Sequence, residues 1–201
     1  NKTGHFLDQR DNRALVRGMA DGAAVLDVFS STGGFALSAA AGGAASVHMV
    51  DASSGAIEAA HRNFAHNRHL RPVRDCAVDA TVGDAFAVLA RLAAEGRRFD
   101  VVILDPPSLA REKASRHAAA RAYTRLNALA LRCLRPGGVL ASASCTSQVS
   151  PDLFREALAT AAAQAGRRLL ILHEAGHALD HPIPAHFPEA RYLKFALGVA
   201  P

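Results

Sequence analysis

Four aspartates and a cysteine each close or follow a short apolar run: Asp27, Asp51, Asp84, Asp105 and Cys145. The run Val25-Leu26-Asp27-Val28-Phe29 enters a small-residue turn, Ser30-Ser31-Thr32-Gly33-Gly34, and then a helix-like segment through Ala45. Small side chains let a ligand approach the turn backbone, and the helix start offers unpaired N–H groups. Asp51 closes the next apolar run, twenty-four positions after Asp27. An α/β nucleotide site sets a carboxylate against ribose hydroxyls at about that distance. An ordinary strand–turn–helix without a ligand has the same local pattern.

The turn lacks G-x-G-x-x-G, and Ser30 and Thr32 would crowd a pyrophosphate. No Gly-Lys-Ser/Thr follows, so a P-loop is excluded. S-adenosylmethionine, which carries a ribose, an adenine, an amino-acid end and a sulfonium but no phosphate, suits a small-residue loop flanked by acids. Gly83-Asp84-Ala85-Phe86 is placed to bond the adenine amino group through Asp84, with Ala85 and Phe86 packing on the ring. Asp84 suits equally a helix N-cap. Asp105-Pro106-Pro107 leaves a strongly apolar run, and two prolines there fix a rigid, non-helical exit that sets Asp105 in the cleft. Cys145, in Ser142-Ala143-Ser144-Cys145-Thr146, falls on the same edge. A thiolate there can add to an electron-poor ring carbon, although a lone cysteine is also a common small buried residue.

Two further patterns need weighing. His173-Glu174-Ala175-Gly176-His177 spells H-E-x-x-H, but an apolar strand runs into His173 and Gly176 weakens any helix, so no metal is expected. From 106 to 150 there are seven cations and one anion. Arg121, Arg125 and Arg132 share a helical stripe, suited to a polyanion or to a solvated face.

Periodicity predicts the elements that position these groups. Strands are expected over 25–28, 46–50, 80–82, 99–104, 139–144, 168–173 and 192–199. Helices are expected over 11–20, 35–41, 55–67, 85–95, 117–134 and 151–165, the first with Leu15, Val16 and Met19 on its inner side and the 117–134 helix stopped by Pro136-Gly137-Gly138. This is an α/β, doubly wound, mostly parallel Rossmann-like sheet, with an antiparallel pair at one edge. Ligands of such sheets bind outside the carboxyl ends of the strands.

The bulk numbers agree. The 201 residues suffice for one domain spanning 1–201, and 50% hydrophobic with 20% charged residues is globular. Three scattered cysteines suit a reducing cytoplasm, and neither a signal peptide nor a membrane-length apolar run is visible. A net charge of +5 favours an anionic partner.

Together the motifs resemble the methyltransferase domain of the RlmI-like bacterial large-subunit ribosomal RNA cytosine-5 methyltransferases. The likeness rests on Lys2-Thr3-Gly4 with Phe6-Leu7-Asp8-Gln9-Arg10; Phe29-Ser30 with Thr32-Gly33-Gly34-Phe35; Val50-Asp51; Asp105-Pro106-Pro107; Ser144-Cys145; Asp180-His181-Pro182; and Pro188-Glu189 with Tyr192-Leu193-Lys194. Ser31 stands where the family has Tyr, and Thr146 where it has Ser. The resemblance implies a seven-stranded class I methyltransferase fold, preceded in the family by a PUA-type RNA-binding domain. It implies S-adenosyl-L-methionine as donor, a ribosomal RNA cytosine as acceptor, Cys145 as nucleophile and Asp105 as support for the base. The cofactor site is expected from Thr3, Asp8, Arg10, Asp27, Phe29, Ser30, Thr32, Gly33, Gly34, Asp51, Ala52, Ser53, Asp84, Ala85 and Asp105, and the RNA site from Pro106, Pro107, Arg121 and Arg125. Expected partners are ribosomal RNA and a second copy of the chain in a homodimer. Two rivals stay open: an amino-group methyltransferase, for which Ser108 stands where an aromatic is usual and Cys145 has no task, and a catalytically silent cofactor-binding module.

Overall fold

A computed structural model describes residues 5–109, 116–187 and 190–201. A single 3-10 turn, Leu7–Gln9, leads into α1 (Arg10–Gly18). The chain then alternates: β1 (Ala24–Val28), α2 (Gly34–Ala41), β2 (Ser46–Asp51), α3 (Ser54–His66), α4 (Arg71–Asp75), β3 (Ala77–Val82), α5 (Ala85–Ala94) and β4 (Phe99–Leu104). It finishes with α6 (Arg116–Arg132), β5 (Leu134–Ser144), α7 (Pro151–Gln164), β6 (Leu170–Ala175) and β7 (Lys194–Ala200). The seven strands form one sheet in the order β3-β2-β1-β4-β5-β7-β6. The first five are parallel, and β7 runs antiparallel to both β5 and β6. The antiparallel edge follows because, among the described residues, no α-helix separates β6 from β7.

Strand alternation assigns each side chain to one of two cores. Leu26, Val102 and Leu104 face α5, α6 and α7, where they meet Leu89, Tyr123 and Phe154. Val25, Val101 and Ile103 face α1 to α4, where they meet Val16, Phe35, Ile57 and Val73. The strand order reverses between β1 and β4, and the loops after these strands diverge to open the crevice that such sheets use for ligands.

Several boundaries differ from expectation: β6 runs over Leu170–Ala175 rather than 168–173 and β7 over Lys194–Ala200 rather than 192–199. The strand before α5 begins at Ala77 rather than at 80, because β3 pairs with β2 along its whole length, from Ser46↔Ala77 to Asp51↔Val82. The helix expected to 134 ends at Arg132, and β5 runs through Pro136-Gly137-Gly138 with an irregularity in its pairing to β4. Arg135 donates to both oxygens of Asp100, whose Oδ2 also accepts the Ala24 amide at 2.8 Å, so side chains pin this segment to the sheet. Arg167 adds hydrogen bonds to the carbonyls of Leu131, Leu134, Arg135 and Ala200. The short α4 was not expected; its Pro72 stands in the first turn, where its missing N–H costs nothing.

Candidate active site and cofactor cleft

A cleft of about 800 Å³ opens at the carboxyl ends of the parallel strands. Its wall is assembled from loops far apart in sequence: Asp8, then Phe29 to Thr32, Asp51 to Ser53, Gly83 to Ala85, Asp105 to Ser108, Cys145 and Tyr192.

The β1–α2 turn is built under strain. Phe29 and Ser31 hold φ of +63 and +50, a left-handed region that non-glycine residues rarely occupy. The neighbourhood fixes them: Ser30 N donates to Val50 O at 3.0 Å, Ser31 N to Asp51 Oδ2 at 2.9 Å and Asn63 Nδ2 to Thr32 O at 2.9 Å. Gly33 caps α2 at φ +80, and a Cβ there would lie 3.0 Å from the Ala60 Cβ. No side chain at that cap serves the helix. Asp27 does so from beneath, its Oδ2 accepting the Ala36 amide at 2.9 Å.

The expected role of Asp27 is therefore corrected. It is 1% exposed and absent from the cleft wall. Alternation on β1 turns it toward α2, away from the ligand space. Burial lifts its pKa from 3.8 to about 8 against the Ala36 hydrogen bond, with the charges of Asp105 and Asp51 adding to the rise. The folded protein keeps this proton where the unfolded chain has lost it, so Asp27 makes stability fall as pH rises from about 4 to about 8. Asp27→Asn is expected to flatten that decline, gaining on the parent by about 1 kcal/mol or more at the alkaline end, the equivalent of one pKa unit. Thermal unfolding of both proteins across this range tests it, and parallel curves contradict it.

Asp51 is held in the wall. Its Oδ1 accepts Ser53 N and its Oδ2 accepts Ser31 N, both at 2.9 Å. Asp84 takes the N-cap role, accepting Ala87 N at 2.9 Å, and also lines the cleft beside Ala85. Phe86 departs from expectation: its ring packs on the α5–α6–α7 core and carries the Arg125 guanidinium 5.2 Å from its centroid. Among the residues expected to hold the cofactor, Thr3 lies outside the described residues. Arg10 turns away from the cleft to pair with Asp11 and Asp180, because it starts α1 on the outer face.

Asp105 and Cys145 meet across the β4–β5 crevice. Cys145 Sγ lies 3.6 Å from the carbonyl oxygen of Pro106. Thr146 joins the two loops, its hydroxyl meeting Tyr123 Oη at 2.9 Å, Ser108 Oγ at 3.3 Å and the Leu109 amide at 3.1 Å. The methyl group that distinguishes it from the family's serine leaves this hydroxyl hub intact. Burial and the Asp105 charge push the Cys145 thiol above its ordinary value, and Lys194 opposes them. Gln9 Nε2 donates to Asp105 Oδ1 at 2.9 Å, and Asn12 Nδ2 donates to Gln9 Oε1 at 2.6 Å, which orients that amide. Tyr192 Oη donates to Asp8 Oδ2 at 2.7 Å.

Gln9, Asn12 and Tyr192 were not expected among the site residues. Gln9 and Asn12 carried a signal, a polar stripe at helical spacing: the inward side of the first helical segment is Gln9, Asn12, Arg13, Val16 and Ala20, while the expected Met19 is exposed. The basic stripe divides. Arg121 is exposed, Arg125 covers Phe86, Arg132 donates to Gln164 O, and neither Arg121 nor Arg125 reaches the cleft wall. Arg111 and Lys113 lie outside the described residues. The H-E-x-x-H segment begins inside β6 rather than on a helix, with Glu174 paired to Arg155 and His177 set edge-on against Tyr192.

The cleft fits S-adenosylmethionine. Among the described residues, Asp8 Oδ1 and Ser30 Oγ are buried on its wall without a hydrogen-bond partner, as a site for a polar ligand end requires. Four carboxylates on the wall, Asp8, Asp51, Asp84 and Asp105, suit a cationic ligand.

The fold and this cleft define a nucleotide-type transferase site, and sequence comparison names its class. Residues 1–175 match the family model of S-adenosylmethionine-dependent methyltransferases, and the chain belongs to that family. Its methyl donor is S-adenosylmethionine. The chain is 48% identical over 194 residues to a ribosomal RNA large subunit methyltransferase of Deinococcus radiodurans, covering 96% of this chain and 46% of that protein. It is 43% identical over 193 residues to ribosomal RNA large subunit methyltransferase I of Shewanella amazonensis, covering 96% and 48%. The chain thus spans about half the length of the curated relatives it matches. Among solved structures, SMU.776, a methyltransferase complexed with SAH, superposes with a TM-score of 0.85 at 27% identity, covering 99% of this chain and 51% of that one.

Proposed function

We propose that this domain methylates C5 of a cytosine in large-subunit ribosomal RNA through a covalent bond between Cys145 Sγ and C6 of the base. The observation that carries this is the placement of the Cys145 sulfur against the Asp105-Pro106-Pro107 exit, in the same cleft as Asp51. The names of the relatives support ribosomal RNA as the substrate class.

Asp51 and the β1–α2 turn hold the nucleoside end of the cofactor, and Asp8 and Ser30 its amino-acid end. When bound, the cofactor supplies an electrophilic methyl group. C5 of cytosine is a poor nucleophile. Addition of the Cys145 thiolate forms an Sγ–C6 bond, and the displaced π electrons move through C5 and C4 to N3. Asp105 in its protonated form delivers a proton at N3, leaving C5 with the electron density needed to accept a methyl group. Gln9 fixes the orientation of the Asp105 carboxyl for that transfer. Loss of the C5 proton to a base, with the N3 proton returned to Asp105, then restores the C5–C6 double bond and returns the thiolate.

The test is a methyl-transfer assay on the intact protein with labelled donor and ribosomal RNA, followed by digestion to nucleosides. Label in 5-methylcytidine is expected. Label in a methylated guanine or adenine amino group would favour the rival chemistry.

A further inference from the structure

Lys194 is a buried cation with no part in the chemistry above. It opens β7 opposite Ser144 and is 6% exposed. Its ammonium donates to the carbonyl oxygens of Thr146 at 2.6 Å and Tyr192 at 2.7 Å. Both acceptors are neutral. Among the described residues, the one charge that favours its protonated form is that of Cys145. Burying an ammonium without a carboxylate partner costs several kcal/mol, so such a lysine marks a place where negative charge is formed. The carbonyl that holds it belongs to the residue directly after Cys145.

Apart from Lys194 and the sulfur's own backbone amide, which favour the thiolate, the groups facing the Cys145 sulfur do not support its ionisation. Asp105 at the end of β4 and Asp8 in the 3-10 turn both oppose its ionisation. Tyr123 on α6 and Tyr192 ahead of β7 are phenols, both pushed up to about 12 chiefly by burial, and so are neutral. Arg13 on α1 lies beside Asp105 and Asp8, where it offsets the carboxylates. Lys194 is the cation that acts on the sulfur from the β7 side.

We propose that Lys194 is a positioning residue whose buried positive charge, set on the loop that follows Cys145, shifts the sulfur toward the thiolate that attacks, an assignment that rests on Cys145 being the nucleophile. Burial lowers the Lys194 pKa to about 8, so its support is complete well below that pH and fades above it.

The test is the rate at which iodoacetamide alkylates Cys145 from neutral to alkaline pH, read on the Cys145 peptide by mass spectrometry. The intact protein is compared with Lys194→Met, Lys194→Gln and Lys194→Arg. At neutral pH the Met and Gln variants should react about tenfold more slowly, the factor produced by a one-unit shift in thiol ionisation. Their rates should converge on the parent's once the thiol is fully ionised, and Lys194→Arg should recover most of the neutral-pH rate. Calorimetry with S-adenosylhomocysteine should give unchanged affinity. Should Lys194→Met fail to fold, Lys194→Gln, which keeps a hydrogen-bond donor without the charge, carries the comparison. Folded variants with the parent's pH profile overturn the proposal. A parent protein that forms no adduct with RNA removes the nucleophile and the proposal with it. An adduct with unchanged alkylation removes Lys194 alone.

Discussion

Cys145→Ala is expected to lower methyl transfer by roughly three orders of magnitude or more, with cofactor affinity unchanged. The size follows from what the sulfur does. Without an adduct at C6, C5 of the base lacks the electron density to take a methyl group, and no other group of the site substitutes for that bond. Cofactor affinity should hold because Cys145 follows β5, whereas Asp51 and the strained turn lie on the β1–β2 side of the cleft. Alanine removes a small, half-buried side chain and leaves the Thr146 hydroxyl hub in place. Single-turnover assays beside calorimetry with S-adenosylhomocysteine separate the two quantities. A variant that keeps full turnover contradicts the mechanism, and one that loses cofactor affinity shows that Cys145 serves the wrong ligand.

Asp51→Ala is expected to have the opposite signature. It should weaken cofactor binding by about 2 kcal/mol or more, roughly thirtyfold. Two effects add. The ribose loses a charged acceptor, and the Ser31 amide loses the bond that helps hold φ of +50 in the turn. Asp51→Asn keeps the shape and one acceptor oxygen, so it should fall between parent and alanine variant. Calorimetry on the three proteins decides it. An affinity within about twofold of the parent in Asp51→Ala, a change of about 0.4 kcal/mol, would place the ribose elsewhere.

The parts of this site that could be read in the sequence are those fixed by local rules. Alternating strands and helices put Asp51, Asp84, Asp105 and Cys145 at one sheet edge, because each directly follows or closes a strand. The pair Pro106-Pro107 fixed its own backbone exit. The missed features depend on where side chains point after the layers pack. Asp27 looks like a site carboxylate by position, yet the alternation of β1 turns it under α2, where it becomes a helix cap and holds a proton. Phe86 follows the Gly83-Asp84-Ala85 loop of the cleft wall, yet the rotation of α5 turns it onto Arg125. Apolar weighting chose Leu15, Val16 and Met19 as the inner side of the first helix; Val16 and Leu15 do pack on the core, but Met19 is exposed. Of the buried polar positions on that side, Gln9 and Arg13 line the cleft and Asn12 stands behind Gln9. Lys194 sits in a strand otherwise made of small and apolar residues. Its carbonyl partners come from the loop after β5 and from Tyr192, a juxtaposition that only the antiparallel β5–β7 pairing creates.

The most direct measurement is covalent trapping of RNA that carries 5-fluorocytosine at the target position. Fluorine cannot leave as the C5 proton does, so the Sγ–C6 bond should persist after methyl transfer. The intact protein should give a band that survives denaturing electrophoresis, requires S-adenosylmethionine and disappears in Cys145→Ala. Methyl transfer to unmodified RNA with no trapped band, or a band that persists in Cys145→Ala, would contradict the Cys145 mechanism.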